Sequence, residues 1–211
     1  MKESHIRILA SVKAAVKELF AEKLETRFVF HNLIHTIQVA EAAEAIATFY
    51  QFDEEEKVIL IIAAWFHDTG FTTGRIEEHE TESINLAQSF LLRHSVRQPI
   101  IEKVSACILA TKMPQSPVSG IDKIICDADL FHLGTNNFRE RTELLRQELQ
   151  RYYHTEIAEK DWDLNNIQLL KSHHYFTGYC QQMLEPVKQQ WLMKLEKTKF
   201  IKPGKRIHIV E

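Results

Sequence analysis

Glycine and proline are scarce in this chain, at 6 and 5 of 211 residues. An all-β fold spends both on frequent turns and is thereby disfavoured. Cysteine is scarcer still: Cys107, Cys126 and Cys180 stand far apart, with no CxxC pair. They read as free thiols buried in apolar helical patterns, in a reducing compartment. No strong charge of either sign is present, and the net −3 makes no global field for nucleic acid. The apolar run VILIIAAWF, Val58 to Phe66, falls short of the ~20 residues a membrane span needs. The opening MKESHIRIL is charged and has no signal-peptide core. The expectation is a cytoplasmic protein with no membrane and no nucleic-acid polymer among its partners.

What is present is helical periodicity. With 45% hydrophobic and 26% charged residues, the chain suits a soluble globular protein large enough for a core and a cleft. Ile8, Leu9, Val12, Ala15, Val16, Leu19 and Phe20 form one apolar stripe. A second helix is expected from Phe30 to Phe49. Asp53 with Glu56 has the form of a capping box opening a third, apolar nearly all round from Val58 to Phe66 and so the most buried. Thr69 to Arg75 reads as a loop and His79 to His94 as a fourth helix. Pro99 suits the first turn of a fifth. Met113 to Gly120 reads as a loop, and Ile121 to Gly134 as a sixth helix. Two or three more helices are expected within Asn137 to His154 and Leu164 to Glu196. The tail after them alternates basic and apolar residues and has a strand-like look.

Polar residues interrupt the apolar segments at three places. His31 and His35 in FHNLIHTIQV stand at i and i+4, one face of a helix; alone, the pair fits two hydrogen-bonded histidines equally well. His67 and Asp68 end the most apolar helix, where their side chains can converge on one ion. Asp127 and Asp129 sit in CDADLFHLG among Ile124, Ile125, Leu130 and Leu133, and a buried carboxylate needs a cation or donors. Imidazole with carboxylate suits Mn, Fe, Co, Ni or Zn as divalent ions.

The order His, His-Asp, Asp in three separated apolar segments resembles the HD superfamily of metal-dependent phosphohydrolases. FHNLIHTIQV is similar to its first motif, AAWFHDTGF to its central one and DADLFHLG to its last. The resemblance implies an all-α, multi-helix HD-domain bundle with extra C-terminal helices. It frames one HD-type domain over 1–211: a motif core of about 28–135, a helical extension 136–200 and a short tail 201–211. It implies His35, His67, Asp68 and Asp129 as metal ligands, with Asp127 orienting a ligand. His31 matches a proton donor to the leaving oxygen. His79, followed by Glu80, matches a histidine that serves a second ion, but ILATK supplies no partner histidine. One divalent ion is therefore favoured, Mg being a further candidate, and Lys112 is assigned to the phosphate, with Arg75 as another cation. The implied reaction is attack of a metal-activated water on a phosphate ester of a small molecule, a nucleotide being favoured, with Asp68 or Asp129 as proton acceptor. A di-iron oxygenase and a non-catalytic nucleotide-binding module are the competing readings. The oligomeric state, including a homo-oligomer, is left open.

Overall fold

The computed structural model describes residues 2–198. Ten α-helices are found there: α1 Glu3–Lys23, α2 Leu33–Phe49, α3 Glu54–Phe66, α4 His79–Arg93, α5 Gln98–Ala110, α6 Gly120–Asp129, α7 Phe138–Tyr153, α8 Glu159–Ser172, α9 Gly178–Met183 and α10 Glu185–Thr198. No strand appears among the described residues, so the all-α expectation holds. No helix among them is long and apolar enough to cross a membrane. The tail, 201–211, expected to be strand-like or partly ordered, lies outside the described residues.

The chain divides into two compact units, one ending at Asp129 and the other beginning at Leu130. In the first, α3 is central and packs against α1, α2, α4, α5 and α6. Its Val58 to Phe66 run is buried at every position, each large aliphatic side chain contributing ~1.5–3 kcal/mol of burial. The capping box at its start is formed: Asp53 accepts from the Glu56 N–H at 2.8 Å, and Glu56 accepts from the Asp53 N–H at 3.2 Å. The facing helix α2 brings Ala40, Ala42, Ala43 and Ala47 to the core. Such small side chains let two helices approach closely.

The second unit gathers Leu133, Phe138, Ile167, Leu170, Leu192 and Leu195 into its own core. A fully buried Lys188 donates to the His173 carbonyl at 2.6 Å and pairs with Glu185 at 3.0 Å. This satisfies an ammonium that would otherwise be costly to bury.

Several boundaries differ from the sequence expectation. The second helix begins at Leu33, not Phe30, because Asn32 has extended backbone and caps it, accepting from the N–H groups of Ile34 and His35. Such a cap stabilises a helix by ~1 kcal/mol. The sixth helix stops at Asp129, and Phe131–Gly134 is a 3₁₀ turn. The expected loop after Asp68 contains a 3₁₀ turn at Thr69–Thr73. The C-terminal segments form four helices among the described residues, α8 starting at Glu159 instead of Leu164. All three cysteines are buried and free, as expected.

Candidate metal centre

Helix ends build the site. His35 lies in the first turn of α2, His67 caps the end of α3, Asp68 follows it, and Asp129 is the last residue of α6. His67 keeps helical dihedrals (φ −52°, ψ −38°), while Asp68 departs from them (φ −106°, ψ 6°). On a continuing helix adjacent side chains diverge by about 100°. The break at Asp68 turns both into one place. Threonines satisfy the carbonyls there: Thr69 donates to Phe66, Thr72 to Thr69 and Thr73 to Gly70.

Four donor atoms alternate around a ring. His35 Nε2 is 3.1 Å from Asp129 Oδ1, which is 3.5 Å from His67 Nε2. His67 Nε2 is 3.2 Å from Asp68 Oδ2, which is 3.5 Å from His35 Nε2. His35, His67 and Asp129 each present one donor atom, all within 4.8 Å of one another. Donors about 2.1 Å from a shared ion stand roughly 3.0–3.4 Å apart at octahedral or tetrahedral angles, so the spacing suits a small divalent ion.

Two further observations fit a metal. His67 Nε2 and Asp68 Oδ2 are buried without a hydrogen-bond partner, a condition that a shared cation would relieve. His67 Nδ1 lies 2.8 Å from the Ala64 carbonyl. A carbonyl only accepts, so Nδ1 carries the hydrogen, and a neutral His67 turns its Nε2 lone pair into the ring.

Electrostatics agree. Burial pushes the Asp68 and Asp129 carboxyls up, but the neighbouring imidazoles outweigh it and hold both below the ordinary range. Burial lowers His67, yet Asp68 and Asp129 hold it well above the usual histidine value. For His35 burial prevails, and its pKa falls. The ring is therefore a buried, carboxylate-dominated cage that compensates itself with a proton where it could hold a dication.

Other expected residues fall at different distances. His79 opens α4, its Nε2 3.8 Å from Asp68 Oδ1 and 3.5 Å from Glu80 Oε1. Gly70 permits that approach: a Cβ there would stand 1.9 Å from the His79 carbonyl oxygen. His31 precedes the Asn32 cap and is not on the helix with His35; the ring centroids are 6.0 Å apart. It stacks on Phe71 at 4.1 Å, and His79 lies against the same ring at 4.2 Å. Asp127 is fully buried but about 200° around α6 from Asp129. Lys112 is exposed just past α5, and its ammonium has no ion pair or hydrogen bond among the described residues. Arg75 is exposed and lies 3.8 Å from Glu82. Among the described residues neither cation forms an ion pair with Asp68 or Asp129.

Sequence reasoning missed Asn32, which orients His35 through the cap, and Phe71, which holds the His31 ring. It also missed Gln115, whose Nε2 is 3.4 Å from Asp129 Oδ2. An Asn before an apolar periodic run signals a cap; the other two carry no local signal.

A sequence model of the HD domain matches residues 32–134, the span that holds His35, His67, Asp68 and Asp129. That span is an HD domain. No curated protein matches the sequence. Among solved structures this HD domain protein is similar to the crystal structure of a predicted HD superfamily hydrolase from an uncultured Thermotogales bacterium. The two share 18% identity and a TM-score of 0.61, over 90% of each chain, which shows a common fold.

Proposed function

We propose that this HD domain protein is a divalent-metal-dependent phosphohydrolase that cleaves a phosphate ester of a small molecule, a nucleotide above all. The observation that carries the reading is the alternating ring of His35, Asp129, His67 and Asp68, with its two orphaned buried atoms. The structural relative is itself named a predicted HD superfamily hydrolase, which fits this reading.

These four residues would hold the ion, which when bound supplies Lewis acidity to a phosphoryl oxygen and to a water. Asp68 or Asp129, kept ionised beside the imidazoles, accepts the proton of the attacking water. His31, steadied on Phe71, protonates the leaving oxygen. His79, 3.8 Å from Asp68 Oδ1, is a further candidate to stabilise charge on the phosphoryl oxygens. Lys112, exposed just past α5, is the candidate point charge for the phosphate.

The test is hydrolysis of a panel of nucleotide monoesters and diesters with Mn²⁺, Co²⁺ or Ni²⁺, alongside metal analysis of the purified protein. Turnover of at least one ester, abolished by chelation, is expected. Dioxygen consumption by an iron-loaded form without hydrolysis would point to the oxygenase instead. Tight nucleotide binding with no turnover would make it a signalling module.

A further inference from the structure

The Met113 to Gly120 loop sends one side chain to the ring. Gln115 Nε2 lies 3.2 Å from the Cys126 carbonyl oxygen and 3.4 Å from Asp129 Oδ2. Both partners accept, and an ionised carboxylate or a carbonyl cannot donate. The carboxamide must therefore turn its NH₂ toward them. The two oxygens of Asp129 are thereby divided: Oδ1 faces His35 and His67, and Oδ2 faces Gln115.

Asp129 needs such a restraint more than the other ring members. Its side chain is 18% exposed, against 5% or less for His35, His67 and Asp68. The cage opens on its side, where a carboxylate is freest to turn. The loop that carries Gln115 is itself anchored. Asp122, buried on α6, accepts from the N–H groups of Val118 and Ser119 at 3.2 and 2.8 Å. It also accepts from the Cys107 thiol at 3.4 Å. Gln115 thus projects from a segment tied to the same helix that ends in Asp129.

We propose that Gln115 is a positioning residue that restricts Asp129 to a single oxygen, Oδ1, toward the ion held with His35 and His67. This rests on the metal reading above. Without the amide donor, Oδ2 is released, and Asp129 either engages with both oxygens or turns to solvent.

The experiment compares the wild type with Gln115→Met, which keeps the length and removes the donor, and with Gln115→Ala. Mn²⁺ affinity is measured by titration calorimetry and the visible spectrum of the Co²⁺-loaded protein is recorded. Residues that orient a metal ligand typically contribute 10–100-fold in affinity, so both variants should bind Mn²⁺ about ten-fold more weakly or worse. The Co²⁺ band should also change intensity, because it reports coordination number. Unfolding midpoints of the metal-free proteins should stay equal. Unchanged affinity with an unchanged Co²⁺ spectrum would overturn the proposal. So would a fall in metal-free stability with no spectral change, which would reduce Gln115 to a loop tie. A wild type that binds neither Mn²⁺ nor Co²⁺ would remove the metal reading and this inference together. One that binds them but hydrolyses no ester would sink the reaction alone and leave Gln115 its role.

Discussion

His35 Nε2 and Asp129 Oδ1 meet at 3.1 Å although 94 positions separate them in the chain. The contact joins the first turn of α2 to the last residue of α6. His67 and Asp68, at the end of α3, complete the ring around it. Removing any member leaves buried polar atoms uncompensated and a ligand set one short. Thus His67→Ala and Asp68→Ala should each lose metal by at least about 100-fold in affinity, with hydrolysis lost in parallel. Elemental analysis of purified protein beside the ester assay checks this. Full metal content and full activity in either variant would refute the site.

Metal removal should destabilise the fold. An ion that binds only the folded state adds ~2.7 kcal/mol at one hundred times its Kd. For a chain of this size that is a rise in Tm of roughly 5–10 °C. Thermal scans of chelated and Mn²⁺-supplemented protein should show it in the wild type and not in Asp129→Ala.

Phe71 should matter to turnover more than to metal binding. Its ring is 1% exposed and lies against both His31 and His79, but it supplies no ligand atom. Phe71→Leu should cost about 1–2 kcal/mol of stability and keep its Mn²⁺ affinity. The kcat should fall clearly with KM little changed, because the His31 ring loses its seat. Equal kcat in wild type and variant would argue against a role for His31 in proton delivery.

Gly70 tests the close approach of two backbones. The Cβ of Gly70→Ala would meet the His79 carbonyl oxygen at 1.9 Å, and backbone there cannot yield cheaply. A loss of about 3 kcal/mol, the upper range for overpacking, is expected in urea unfolding. His79 should also be displaced, which a crystal structure of the variant would record.

Acid should weaken the second unit through His173. Burial, and then the neighbouring Lys188, lower its pKa to about 4 from an ordinary 6.5. The unfolded chain therefore binds the proton first. Its contribution is intact above about pH 6.5, declines as pH falls toward 4, and loses nothing further below. The slope is ~1.4 kcal/mol per pH unit, about 3 kcal/mol in all. Urea unfolding of wild type and His173→Gln between pH 7 and pH 4 isolates this difference. Parallel pH dependences would show that His173 titrates normally.

Much of this protein is legible along the chain. Val58 to Phe66 is apolar at nearly every position, so its helix had to be the buried one, and α3 is central. Asp53 with Glu56 forms the capping box that its spacing announces. The three motifs are local strings whose order alone points to the HD family, and the matched span 32–134 agrees. These features depend on near neighbours, through helical period, caps and turn residues.

Tertiary structure decided what depends on distant neighbours. It divided His31 from His35, because a capping side chain at Asn32 outweighs an i, i+4 pattern. It set Asp129, the ligand the resemblance implied, beside His35 and His67, and left Asp127 about 200° away around the same helix. It brought Gln115 to Asp129 and Phe71 beneath His31 and His79, contacts made across loops where no periodicity operates. It also left Lys112 exposed, with no partner to draw it to the ring. The residue types in the strings determine that a metal-binding chemistry is available. Which oxygen and which nitrogen deliver it is set by packing between helices, because side-chain direction is fixed only when the elements meet.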